Sequence, residues 1–195
     1  NAGAITTVSL VQADSPAQRW SRILEHYEAY AGAQLQVMPE VYASVGQSNF
    51  RNRALANLLE AEGWLQADPL ETLDVYNKQS CVGVTAKQLA MMGATLANNG
   101  VNPATNKRVV DPGTVEKILA VMMLNGFYDE SGWWAYSAGL PAKSGVGGGI
   151  VAVVPGRMAI VGYSPRLSSS GNSVRAMAAI KHMSEQLNLS LFNAP

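Results

Sequence analysis

Beyond residue 126 the apolar pattern of this chain changes from a helical period to two short β-rich runs, and that change limits the fold more than any other feature. Gly147-Gly148-Gly149 precedes Ile150-Val151-Ala152-Val153-Val154, Pro155-Gly156-Arg157 makes a tight turn, and Met158-Ala159-Ile160-Val161-Gly162-Tyr163 follows. This predicts an antiparallel hairpin. Two strands alone are marginal in water, so other elements must cover them. A last helix from about Asn172, with Val174, Met177, Ile180, Met183 and Leu187 apolar, is suited to cover one face. The expected class is α+β: residues 1–136 mainly helical, 137–195 the hairpin and C-terminal helix, both parts of one domain. Too few strands are present for a complete sheet.

The helical part is punctuated by capping chemistry. Asp14 or Ser15 can cap a helix starting at Pro16 and ending at Gly32, with Trp20, Ile23, Leu24, Tyr27 and Ala31 on one face. Residues 33–50 show no sustained period and contain Pro39 and Gly46, so they read mostly as loop. Asn52 to Ala61 forms a short helix stopped by Gly63. Asp68-Pro69-Leu70-Glu71 and Thr85-x-x-Gln88 have capping-box spacing and open two more helices, and Asp111-Pro112 opens another that Gly126 closes.

Composition excludes several function classes. The chain has 195 residues, 48% hydrophobic and 14% charged, enough to bury a substantial core. Fourteen basic residues balance fourteen acidic ones, so there is no general field for nucleic acid or an anionic membrane. No apolar run reaches the roughly 20 residues that cross a bilayer. One cysteine, Cys81, excludes an internal disulfide, and with two histidines makes a poor zinc set, so no metal and no cofactor are expected. A lone thiol inside an apolar stretch reads as packing, and His26 and His182 read as helix-surface residues. These features suit a cytoplasmic protein. The chain opens on Asn1-Ala2-Gly3-Ala4-Ile5, without an initiator methionine, and runs into Val8-Ser9-Leu10-Val11 as if within a domain, so a large N-terminal part is expected to precede it.

The segment with most chemical content is Gly139-Leu140-Pro141-Ala142-Lys143-Ser144-Gly145-Val146-Gly147-Gly148-Gly149. Lys-Ser-Gly on a strand offers a fixed cation, and glycine admits a ligand close to the backbone. On composition alone the favoured reading is a glycine-rich bend beside an edge strand with Lys143 in solvent. Asn1 to Ile5, Asn52 to Ala56, Met92 to Pro103, Trp134-Ala135-Tyr136, Leu140 to Gly149, Val153 to Gly156 and Gly171-Asn172-Ser173-Val174-Arg175 together resemble the bacterial and mitochondrial serine-dependent glutaminases. They lie in family order along nearly the whole chain.

That resemblance implies a β-lactamase/transpeptidase-like fold, incomplete at the N-terminus, and hydrolysis of L-glutamine to L-glutamate and ammonia through a glutamyl-serine acyl-enzyme. The family nucleophile lies in a Ser-x-x-Lys motif upstream of the Asn-Ala-Gly-Ala segment, and no such motif occurs here. By the same resemblance, Tyr76 stands beside the nucleophile as proton relay, and Lys143 supplies positive charge near it. The backbone N–H of Val146 serves as oxyanion contact, Asn1 and Asn52 hold the amino-acid end of glutamine, and Tyr128 sits on a loop over the pocket. The family also implies a homo-oligomer, dimer or tetramer. Other readings are a non-catalytic amino-acid-binding or regulatory protein of the same fold, and a penicillin-interacting acyl-transferase, which would not account for the Asn-Ala-Gly-Ala segment.

The pattern breaks at Ser44-Val45, where the family has Ser-Glu and the glutamate meets the α-ammonium of glutamine. Gln79-Ser80-Cys81, Ser137-Ala138 and Ser168-Ser169-Ser170 are smaller departures. Leaving a desolvated charge without its counter-ion costs about 3–5 kcal/mol, or roughly two to three orders of magnitude in affinity. Val45→Glu in the intact gene product is therefore expected to lower the Michaelis constant for glutamine; steady-state kinetics showing an unchanged or higher value would remove the charge argument.

Overall fold

Proline at the first helical position has its missing N–H where no intrahelical bond is needed, and this chain uses it repeatedly. In the computed structural model, which describes residues 1–193, α2 (Pro16–Ala31), α3 (Pro39–Ser48), α5 (Pro69–Ser80) and α7 (Pro112–Asn125) all begin on proline. The remaining helices are α1 (Ala2–Ser9), α4 (Phe50–Ala61), α6 (Ala86–Ala97), α8 (Ser131–Ala138) and α9 (Val174–Gln186). Ser15 caps α2 by accepting from Gln18 N at 3.2 Å. Asp68 accepts from the amides of Leu70 and Glu71, both at 2.9 Å, and Thr85 with Gln88 forms a complete capping box.

The structure corrects the reading of residues 33–50 as loop: they hold β1 (Gln36–Val37) and all of α3. Pro39 opens that helix instead of breaking it. None of its residues is fully buried, so its apolar signal is short: Val41, Tyr42 and Val45 only.

The chain divides into two units: residues 1–28 with 34–83, and residues 29–33 with 84–195. In the first, α1, α4 and α5 pack through Ile5, Ala56, Leu59 and Leu73, and a second cluster joins Val8, Ile23 and Val75. β1 pairs antiparallel with β2 (Val82–Gly83). Tyr42 of α3 donates to the Asp74 carboxylate of α5, which also pairs with Lys78 at 2.7 Å. Cys81 is buried, which pushes its thiol pKa up, away from a reactive thiolate.

In the second unit the expected hairpin is β4 (Gly149–Val154) against β5 (Met158–Tyr163), extended at one edge by β3 (Ala142–Ser144). Both faces are covered. Ile150, Ala152, Val154 and Ile160 face a core containing Met177 and Ile180 of α9, with Phe127 stacked on Trp134 of α8, centroids 4.3 Å apart. Val151, Val153 and Ala159 face α6, where Gly93 lets helix and sheet approach: an added Cβ would lie 2.7 Å from Ala159 Cβ. The Lys143↔Val151 and Ser144↔Ile150 register puts Lys143 on the α6 face and Ser144 on the buried α9 face.

Gly126, at the end of α7, has an ordinary φ of −74° but no room for a side chain, since a Cβ would fall 1.7 Å from the carbonyl oxygen of Ala142. Gly126→Ala must push β3 away, and the expected loss is about 3 kcal/mol or more. Gly113→Ala, with open space around it in the same helix, is expected to stabilise by about 0.5 kcal/mol. Urea unfolding of the two variants measures the contrast.

The Tyr42–Asp74–Lys78 set generates a pH prediction. The Asp74 hydrogen bond raises the Tyr42 pKa to about 12. Burial pushes the Asp74 carboxyl up, but hydrogen bonds from Lys78 and Tyr42 outweigh it and hold its pKa below the ordinary value. The Tyr42 contribution is therefore complete below pH ~10 and lost as pH rises through about 12; that of Asp74 is complete above pH ~4 and lost as pH falls through its lowered pKa. The stability difference between wild type and Tyr42→Phe should be flat from about pH 5 to 9 and shrink at both ends, as chemical denaturation across pH would reveal.

Candidate functional site

In the first unit, packing of α1 against α4 brings two asparagines 51 positions apart into contact. Asn1, at the N-cap of α1, donates from Nδ2 to Oδ1 of Asn52 at 2.9 Å. Asn52 is half-buried near the start of α4. The pairing leaves the Asn1 side-chain oxygen and an amide donor of Asn52 for other partners, the complement that a zwitterionic amino acid requires. Ala2, adjacent to Asn1, packs on the Ile5–Ala56–Leu59–Leu73 cluster. Tyr76 of α5 packs on that same cluster and also on the Val8–Ile23–Val75 cluster, so its half-buried ring is held from both sides. Val45 is half-buried on α3.

Two cavities in this unit lie beside these residues without being lined by Asn1, Asn52 or Tyr76. One, of about 640 Å³, is largely apolar and lies among Val8, Val11, Ile23, Tyr27 and Gln79. The other, of about 500 Å³, lies among Tyr42, Asn49, Arg53, Asp74 and Asn77.

In the second unit Lys143, Tyr128 and Val146 come together. Lys143 extends from β3 so that its ammonium lies 4.6 Å from the centroid of the Tyr128 ring and donates to the Ser144 carbonyl. The ring face attracts the cation. Desolvation lowers the Lys143 pKa from its ordinary value. Tyr128 has φ +54°, a backbone state unusual for a side chain of its size. Ser131 holds it there, its Oγ donating to the Tyr128 carbonyl at 2.9 Å and accepting from Phe127 N at 3.0 Å.

Val146 lies exposed in the turn between β3 and β4. That turn is closed by Gly145 N donating to Gly149 O and Gly148 N to Gly145 O, both at 2.9 Å. Neither bond uses the Val146 N–H. Gly171, φ +92°, touches both other parts: a Cβ there would meet Val146 Cγ1 at 3.4 Å and Tyr128 Cε2 at 3.7 Å.

Sequence reasoning missed the polar network behind Tyr128, formed by Asn172, Glu130, Ser144 and Ser168. One signal was available. Strand alternation turns Ser144 inward when Lys143 points out, and a buried hydroxyl needs a polar partner. Among the described residues no helix is long and apolar enough to cross a membrane, and no group of three or more His, Cys, Asp or Glu side chains could hold a metal ion.

Comparison with known proteins gives the family. Residues 1–192 match the family Glutaminase. The chain is 51% identical to a glutaminase of Mycobacterium ulcerans (strain Agy99), covering all of this chain and 61% of that protein, and 51% identical to one of Brucella canis, covering 98% and 61%. It thus spans about three fifths of the length of these relatives. Among solved structures, the probable glutaminase ybaS superposes with a TM-score of 0.97 at 48% identity, over 99% of this chain and 62% of that one. The Bacillus subtilis glutaminase YbgJ, in covalent complex with 5-oxo-L-norleucine, superposes with 0.95 at 34% identity, over 98% and 68%. The helices and small antiparallel sheets are those of the β-lactamase-like fold that these neighbours share. Matched along almost its whole length, the chain belongs to the glutaminase family.

Proposed function

We propose that the protein containing this chain hydrolyses L-glutamine to L-glutamate and ammonia through a serine acyl-enzyme. The observation that supports this reading is the match of residues 1–192 to the glutaminase family, together with the contacts of Asn1 with Asn52 and of Lys143 with Tyr128. The nucleophilic serine belongs to a Ser-x-x-Lys segment that these 195 residues do not contain.

The serine oxygen attacks the side-chain amide carbon of glutamine while its proton passes toward the Tyr76 phenol, which relays it to the departing nitrogen. The oxyanion of the tetrahedral intermediate accepts from the Val146 N–H, and collapse expels ammonia. Water then attacks the ester by the reverse proton route and releases glutamate. By the same family resemblance, Lys143 supplies positive charge to the reaction. Asn1 and Asn52 orient the α-amino and α-carboxylate groups, and Tyr128 lies over the substrate. The same reading includes residues 1–195 as part of one catalytic domain, a homo-oligomeric assembly and a cytoplasmic location.

Ammonia release from L-glutamine by the intact gene product, together with a covalent mass increase on treatment with 6-diazo-5-oxo-L-norleucine, is the direct test. Tyr76→Phe should lower kcat by about 10²–10⁴. Asn52→Ala should raise KM at least tenfold while changing stability by no more than about 1 kcal/mol. Absence of ammonia release, or a Tyr76→Phe variant with unchanged kcat, would overturn the proposal.

A further inference from the structure

Asn172 is fully buried, with every part of its side chain in use. Its amide donates to the carbonyl of Phe127 at 3.1 Å and to the carboxylate of Glu130, while its Oδ1 accepts from Ser144 Oγ. An amide has two N–H donors, and both are directed at the segment flanking Tyr128. The main chain of the same residue is held too: its N–H donates to Ser168 Oγ at 3.3 Å and its carbonyl accepts from Ser168 N at 2.7 Å. Ser168 Oγ in turn donates to Glu130 at 3.2 Å. Capping of α9 falls to Ser173, whose Oγ accepts from Ala176 N, so Asn172 is free to point inward.

The network therefore joins three pieces of chain. One bears Tyr128, one is the strand in which Ser144 follows Lys143, and the third is the turn whose Gly171 abuts both Val146 and Tyr128. Packing alone does not require a polar group here. An apolar side chain of similar volume would fill the space but take one hydrogen bond each from the Phe127 carbonyl, the Glu130 carboxylate and the Ser144 hydroxyl, leaving them only the Glu130 N–H, the Ser168 hydroxyl and the Gly126 carbonyl respectively. The strained φ of Tyr128 shows that the surrounding bonds decide where its ring lies.

We infer that Asn172 is a positioning residue: through its two amide donors it sets the 127–130 segment so that Tyr128 lies across Lys143 and next to Val146. The inference rests on the proposed function only for its kinetic consequence. The geometric claim is independent of which reaction is catalysed.

The test uses the intact gene product. Asn172→Asp keeps the shape and the acceptor for Ser144 but replaces the donors by a carboxylate facing Glu130. Hydrogen–deuterium exchange of peptides covering 124–133 should rise while peptides within 1–83 and α9 stay as in wild type, and kcat/KM for L-glutamine should fall about tenfold or more. Glu130→Gln alone should change kcat/KM less than about threefold, because a glutamine still offers an oxygen to the Asn172 amide. Combined with Asn172→Asp, it restores one donor–acceptor pair in reversed sense and should recover part of both losses. Unchanged exchange in 124–133 in a folded Asn172→Asp protein, or a double variant at least as impaired as Asn172→Asp, would overturn the inference. If the protein carrying the wild-type sequence releases no ammonia, the proposed function fails, while the exchange measurements still decide the role of Asn172.

Discussion

The pairing of β3 with β4 is the constraint on which the second unit depends. Three residues of β3 are enough, because strand alternation sends Lys143 to one face and Ala142 and Ser144 to the other, and a slip of one residue would bury the ammonium and expose the hydroxyl. Burying Lys143 without a counter-charge would be far more costly than leaving it at the surface. The closeness of Gly126 to the Ala142 carbonyl, supported by Ser144 N donating to Gly126 O at 3.0 Å, ties the end of α7 to this register. The segment carrying Tyr128 begins at that point.

The two units solve the same problem by different means. In the first, Asn1 and Asn52 are brought together by apolar packing of short helices around Ile5, Ala56, Leu59 and Leu73, and the polar contact forms on top of that cluster. In the second, a buried polar network positions Tyr128, and its members are satisfied by one another. Helix packing tolerates small volume changes with modest loss, whereas a buried network loses a hydrogen bond at every partner of the member removed. Asn172 is of this second kind.

Much of the architecture was legible from residue patterns. The hairpin around Pro155-Gly156-Arg157, the Thr85–Gln88 capping box, the Ser15 cap and the apolar face of the last helix each rest on a local rule: turn chemistry, reciprocal capping or period. α3 was not legible, because none of its residues is fully buried and its apolar face is only Val41, Tyr42 and Val45. The candidate residues were legible only because Asn1, Asn52, Tyr76, Tyr128, Lys143 and Val146 lie in segments that resemble a family. No local rule pairs an asparagine at position 1 with another at position 52.

The amino-acid sequence by itself determined the α+β class, most helix starts and the hairpin, because these follow from backbone geometry within a few residues. Only tertiary structure decided that Asn172 leaves the capping of α9 to its neighbour and turns its amide toward Phe127 and Glu130. The reason is physical. A buried polar side chain must find partners wherever the packed chain places them, and those partners lie 28 to 45 residues away, beyond the reach of any sequence period.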